Sequence, residues 1–236
     1  MVKKWILVVD SGLGGKYTLS KIKELLPNEN YILFMDKTHA PYGNKTKKQL
    51  RRIVSYNFKK IFRVFNIKMV VLACNTLSST CFEYLSKIYQ STPIIKIEPY
   101  FEPKLFNAKP TLILATKSTL KNNKRIKAYK KYKNIYCFGF KKIAKVIDEL
   151  QGDCDSLQNY IYLKLKRFKG KNIKNIVLGC THFNYIINQI SNVFNDDLCF
   201  FENSGGVAKE TYDVLKYSGR KSRSKKMGET LVLYKV

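Results

Sequence analysis

The sequence predicts an α/β fold of two related lobes, each a mostly parallel sheet flanked by helices, with a functional site in the cleft between them. Short apolar runs alternate with amphipathic stretches along the chain, which is the pattern of βαβ units. A strand-then-cysteine motif also occurs twice, once in each half, as two related lobes would produce.

Apolar runs at residues 5–9, 31–35, 69–73, 94–97, 111–115, 135–138, 176–179, 198–201 and 230–234 are the expected strands. The first leads into Asp10-Ser11-Gly12-Leu13-Gly14-Gly15, a turn that opens a helix. Between the second and third runs, residues 46–65 form the clearest helix. There Leu50, Ile53, Val54, Ile61, Phe62 and Phe65 recur at helical spacing, with Lys47, Lys48, Arg51, Arg52, Lys59 and Lys60 on a solvated opposite side. The third run ends in Cys74-Asn75-Thr76 and the seventh in Cys180-Thr181-His182. Crossings at Ile97-Glu98-Pro99 and around Asn203-Ser204-Gly205-Gly206 divide the chain into a first lobe, residues 1–97 plus 206–236, and a second, residues 98–205. On that division the last run rejoins the first sheet, and the basic stretch 219–226 is expected to be mobile.

Composition narrows the class. A chain of 236 residues that is 45% hydrophobic buries a substantial core, which excludes a disordered basic tail. No run approaches the roughly 18 apolar residues of a membrane span, and residues 1–10 enter a strand without a signal-peptide core, so a cytoplasmic protein with no membrane partner is expected. Six dispersed cysteines without a CxxC pair read as free thiols, and no metal site is expected. The formal charge is +27, but Lys outnumbers Arg 37 to 7, Asn is frequent at 18 and Ala scarce at 7, the skew that AT-rich codons impose. Arg would dominate where phosphates or bases are read specifically. The field still attracts anions. Residues 104–145 hold 13 Lys and Arg and no acidic residue, interleaved with Tyr129, Tyr132 and Tyr136, a surface able to bind nucleic acid non-specifically.

The glycine turn after the first strand lacks both the GxGxxG spacing and a following GK[ST]. It reads as a plain turn or a carboxylate site rather than a nucleotide phosphate loop. Each cysteine taken singly is a small buried hydrophobe. Cys74 and Cys180 as a matched pair, each at a strand end before a helix start whose dipole lowers a thiol pKa, become acid–base candidates. Two thiols facing each other across a cleft suit inversion of a stereocentre, with one removing a proton and the other delivering one to the opposite face.

Asp10 to Gly15, Asp36 followed by Pro41-Tyr42-Gly43-Asn44-Lys45-Thr46, Ala73 to Thr76, Glu98-Pro99, Ala115 to Thr119 and Gly179 to His182 stand in the order found in glutamate racemases, which the chain resembles over nearly its whole length. The resemblance implies a cofactor-independent racemase interconverting L- and D-glutamate, the latter for peptidoglycan. It implies Cys74 and Cys180 as the thiols, the first acting on the D-isomer and the second on the L-isomer, with Asp10, Asp36 and His182 assisting. Ser11, Pro41, Tyr42, Gly43, Asn75, Thr76, Thr119, Thr181 and His182, with Asp10, match positions that hold the substrate. A homodimer is compatible with it. A family glutamate corresponds to Asp148 or Glu149, while Lys145, Phe183-Asn184 and Asn203-Ser204 depart from the family pattern. His39 matches no family role and is expected at the surface; Cys81, Cys137, Cys154 and Cys199 are expected to be structural. The competing reading is a racemase scaffold with weakened activity that binds polyanions through its basic surface.

Overall fold

The computed structural model describes residues 3–99, 109–150, 153–194 and 197–236. Lys104 and the rest of residues 100–108 in and before the basic stretch lie outside the described residues. Among the described residues, nine strands form two sheets whose pairings are all parallel. β1 (Lys4–Asp10), β2 (Asn30–Met35), β3 (Asn66–Leu72), β4 (Ile94–Lys96) and β9 (Thr230–Leu233) make the first, in the order β4-β3-β1-β2-β9. β5 (Thr111–Thr116), β6 (Ile135–Phe140), β7 (Asn175–Gly179) and β8 (Cys199–Phe201) make the second, in the order β6-β5-β7-β8.

Each expected strand is present. β3 starts at Asn66 rather than at residue 69, because Asn66 and Ile67 pair with Lys4 and Trp5 before a register shift. The polar Asn66 and Lys68 conceal that start from an apolar count. Side-chain alternation along β1 explains the two layers of helix. Trp5, Leu7 and Val9 pack with residues of α2 (Lys47–Val64) and α3 (Asn75–Ile88), while Ile6 and Val8 pack with those of α1 (Gly14–Leu25) and α9 (Ser204–Tyr217). In the second sheet, Leu112 and Leu114 face α6 (Ile143–Glu149), α7 (Cys154–Leu165) and α8 (Ile187–Phe194). Ile113 and Val177 face α4 (Lys117–Asn122) and α5 (Lys124–Tyr129). The helix expected over 46–65 is α2, started by a capping box between Thr46 and Gln49.

The stretch 219–226 is not free, contrary to expectation. Lys68 and Glu29 form a buried ion pair. Lys68 Nζ also donates to the Arg220 carbonyl at 2.8 Å, Arg220 donates back to the Lys68 and Ser91 carbonyls, and the Ser222 N–H donates to Glu29. The sequence hides this because both charges come from distant elements. Removing either partner would strand a buried charge, at a cost of about 3–5 kcal/mol. No helix among the described residues is long and apolar enough to cross a membrane.

Candidate active site

The loops at the carboxyl ends of both sheets meet, the position where open α/β sheets present ligands. Close approach explains the glycines of the first turn. A Cβ at Gly14 would lie 2.1 Å from Thr181 Oγ1, and one at Gly12 would lie 2.8 Å from His182 Nε2. The turn is bare so that the second lobe can lie against it. Asp10, fully buried at the end of β1, does not cap α1. Its Oδ1 accepts the Gly12 N–H at 2.9 Å and its Oδ2 accepts the Thr181 hydroxyl at 3.0 Å, across the lobes. Burial dominates and raises its carboxyl to about 6, against the lowering effect of His182, Gly12 and Thr181.

Cys74 and Cys180, one from each sheet, line a single cavity. Each is the N-cap of the helical turn that follows it, α3 for Cys74 and the 3₁₀ turn Thr181–Tyr185 for Cys180. Asn75 and Thr76 therefore stand in the first turn of α3, and both line the cavity. The Cys74 sulfur lies 3.9 Å from the Ser11 hydroxyl, and the Cys180 sulfur lies 3.9 Å from His182 Nδ1. Burial, reinforced by the Asp10 charge, pushes the Cys74 thiol well above its ordinary range; the Leu77 N–H and the Ser11 hydroxyl oppose this only weakly. The lowering expected from the helix dipole does not govern Cys74, because an approaching carboxylate and loss of water outweigh it. His182 is also shifted upward, which for an imidazole favours the charged form. Burial disfavours its charged form, but the Asp148 carboxylate, the Cys180 sulfur and Asp10 outweigh burial and hold the imidazole well above the ordinary value. His182 Nε2 faces Asp148 Oδ1 at 3.5 Å without a hydrogen bond among the described residues. Glu149 instead pairs with Lys145.

The remaining candidates separate into wall and support. Ser11, Pro41, Tyr42, Gly43, Thr181 and His182 line the cavity. Thr76 Oγ1 lies 2.9 Å from Thr116 Oγ1 and 3.3 Å from Thr119 Oγ1, but Thr119 sits behind the wall. Asp36 also stands outside it. Its carboxylate accepts the Tyr42 hydroxyl at 2.8 Å and the Asn57 amide at 2.9 Å, and His39 Nδ1 lies 2.9 Å away. Asp36 thus anchors the Pro41–Gly43 loop, and His39 is its partly exposed partner rather than an unattached surface side chain. Sequence reasoning missed Thr116, Lys141 and Lys142, which line the cavity from the ends of β5 and β6. Their place at strand ends was the available signal, masked for the lysines by the lysine-rich surroundings. The cavity holds about 20 Å³, room for roughly one water. Beside it opens a wider hollow of about 460 Å³, lined in part by Gly12, Asn44, Asp148 and His182.

No family model matches the chain. Relatives do: the glutamate racemases of Clostridium perfringens (strain ATCC 13124) and Clostridium kluyveri (strain ATCC 8527) are each 33% identical, over 93% and 92% of this chain and 86% of each relative. The crystal structure of glutamate racemase from Francisella tularensis in complex with D-glutamate matches with a TM-score of 0.81 and 25% identity, over 98% of this chain and 87% of that one. A glutamate racemase isoform from Bacillus anthracis, 21% identical, shares the fold with a TM-score of 0.80 over 97% of this chain and 87% of its own. Paired cysteines at equivalent corners of two parallel sheets, and relatives aligned over almost the whole length, lead to one conclusion: the chain belongs to the glutamate racemase family.

Proposed function

We propose that the chain interconverts L- and D-glutamate by proton transfer between Cys74 and Cys180. The observation that carries this is the convergence of the two thiols, from opposite sheets, on one cavity. One cysteine, as thiolate, takes the α-proton and forms its S–H bond as the Cα–H bond breaks. The other gives its S–H proton to the opposite face and becomes the thiolate. A buried thiol held above its usual range, as Cys74 is, rests protonated and is a strong base once ionised. His182 is placed to exchange a proton with Cys180, and Asp148, rather than Glu149, is the acidic group beside it.

Asp10 receives the substrate ammonium in this reading. The hydroxyls of Ser11, Thr76, Thr116 and Thr181, with the amides at the start of α3, receive the α-carboxylate, and the Lys141–Lys142 pair receives the second carboxylate. Ligand pockets commonly measure about 300–1,000 Å³, so the loop 141–144 must withdraw to admit glutamate from the hollow beside it. We divide the lobes at 97/98 and 205/206. We place the protein in the cytoplasm, which six free cysteines support, with D-glutamate supplied to peptidoglycan. A homodimer and non-specific nucleic-acid binding through the basic face belong to the same proposal, and are read by sedimentation and by gel shift at low salt. The central test is polarimetry of purified protein with L-glutamate and no added cofactor. Rotation should decay to zero; unchanged rotation would refute the reading.

A further inference from the structure

Away from the catalytic cavity, the second lobe carries a pocket of about 490 Å³ beside β6. Its floor is aromatic: Phe138 and Phe140 meet edge to face with centroids 4.8 Å apart, and Tyr160 lies 6.5 Å from Phe140. Its rim is Lys117, Lys141, Lys142 and Lys164, and among the described residues no carboxylate lines it. None of these four ammonium groups makes an ion pair among the described residues. Lys164 rests instead over the Tyr160 ring at 5.4 Å. β6 is an edge strand among the described residues, so none of the other described strands covers this side. Four like charges around an uncharged hollow repel one another, and a flat-bodied anion would relieve that repulsion while covering the rings.

The pocket shares parts with the catalytic cavity. Lys141 and Lys142 line both, and Lys117 follows Thr116, whose hydroxyl belongs to the threonine cluster of the cavity. We propose that this pocket is a regulatory site for a nucleoside phosphate, its ring lying on Phe138 and Tyr160 and its phosphates engaging Lys141, Lys142 and Lys164. An occupant draws the two shared ammonium groups outward. It thereby removes positive charge from the place where, on the reading above, the second carboxylate of glutamate is received. The two ligands therefore oppose each other, and by linkage each weakens the other by the same factor.

ADP serves as the probe, with inorganic phosphate and adenosine as its two halves. Calorimetric titration of the full chain at low salt is expected to show one ADP site, about tenfold tighter than for either half. Lys164→Glu, which touches only the outer rim, should weaken ADP by about tenfold or more and leave KM and kcat without ADP unchanged. In the racemase assay ADP should raise KM for glutamate to a plateau, because both ligands are bound together, and Lys164→Glu should remove the rise. The titration reads the site even if the chain racemises nothing, so the two readings fail separately. No ADP binding at about 1 mM, or phosphate binding as tightly as ADP, overturns the proposal. So does competition that rises without a plateau and survives Lys164→Glu, which would put ADP in the catalytic cavity. Lys164-dependent binding of a single-stranded oligonucleotide more tightly than ADP also overturns it, and assigns the rings and lysines to nucleic acid.

Discussion

The corner at Cys74 and the corner at Cys180 are built on the same backbone plan and given opposite chemistry. In both, a parallel strand ends, the cysteine caps the next turn, and two polar residues follow. Around Cys74 stand a hydroxyl and a buried carboxylate; beside Cys180 stands an imidazole backed by a second carboxylate. Repetition of the fold supplies two sulfurs at equivalent corners, which the proposed scheme uses in mirror roles. The side chains contributed by neighbouring loops make those roles unequal. On the proposed scheme, a substrate whose two enantiomers have equal energy would meet two different bases.

Removing a sulfur should break the comparison most severely. Cys74→Ala and Cys180→Ala are each expected to lower kcat/KM by at least about 10³-fold with an unchanged circular dichroism spectrum, since one thiol cannot serve both faces. Turnover near wild type would exclude that cysteine. In D₂O, starting from L-glutamate, the first D-glutamate formed should carry α-deuterium while the remaining L-isomer stays protonated. Mass spectrometry of the separated enantiomers at a few per cent conversion reads this, and α-hydrogen kept in the product would end the two-thiol scheme.

The inequality of the corners has a subtler signature. Because enantiomers have an equilibrium constant of one, no variant can favour one direction in kcat/KM. If Cys180 removes the proton from the L-isomer, His182→Asn should instead raise the primary isotope effect with α-deuterated L-glutamate more than with the D-isomer; Asp10→Asn should do the reverse. Equal changes in both would show that the two side chains do not belong to separate corners.

Asp10 also links the site to stability. Its carboxyl titrates at about 6 when folded against 3.8 unexposed to the fold, so its contribution is full below pH 3.8 and is lost as pH rises through 6. Asp10→Asn keeps the contacts to Gly12 and Thr181 within reach and removes that loss, a gain of up to about 3 kcal/mol. Thermal melts should show the variant more stable than wild type at pH 7.5 and little changed at pH 4, with activity reduced. A variant no more stable at pH 7.5 would contradict the burial argument. The smallest effect is expected behind the wall. Thr119→Val leaves Thr76 and Thr116 to bond each other and should cost about 1–2 kcal/mol in stability, with KM raised only about threefold. A large fall in kcat would move Thr119 to the reacting atoms.

Much of this was legible in the sequence, for reasons that individual residues show. Strands buried on both faces read as unbroken apolar runs, and 230–234 could be assigned to the first sheet although its partner β2 lies at the other end of the chain. The cysteines, the glycine turn and Thr181-His182 were visible because one short motif carried each. Residues acting at a distance were less visible. Nothing local distinguishes Asp36, which supports a loop, from Asp10, which bonds Thr181 across the lobes. Lys141 and Lys142 looked like two more lysines in a basic stretch, and the hold of Glu29 and Lys68 on 219–226 exists only once the chain has returned.

That return sets a demand on the order of assembly. The second sheet is drawn from one continuous stretch, residues 111–201, and all its pairings close within it. The first sheet is finished only when β9 lies down beside β2, where the Glu229 N–H meets Asn30 Oδ1 across 199 positions of sequence. Pairings that distant form late, because the intervening chain must first lose its freedom. Until then the apolar edge of β2 stands open, the kind of edge on which unfinished chains join one another. A net charge of +27 makes any two such chains repel, which opposes their joining at that edge.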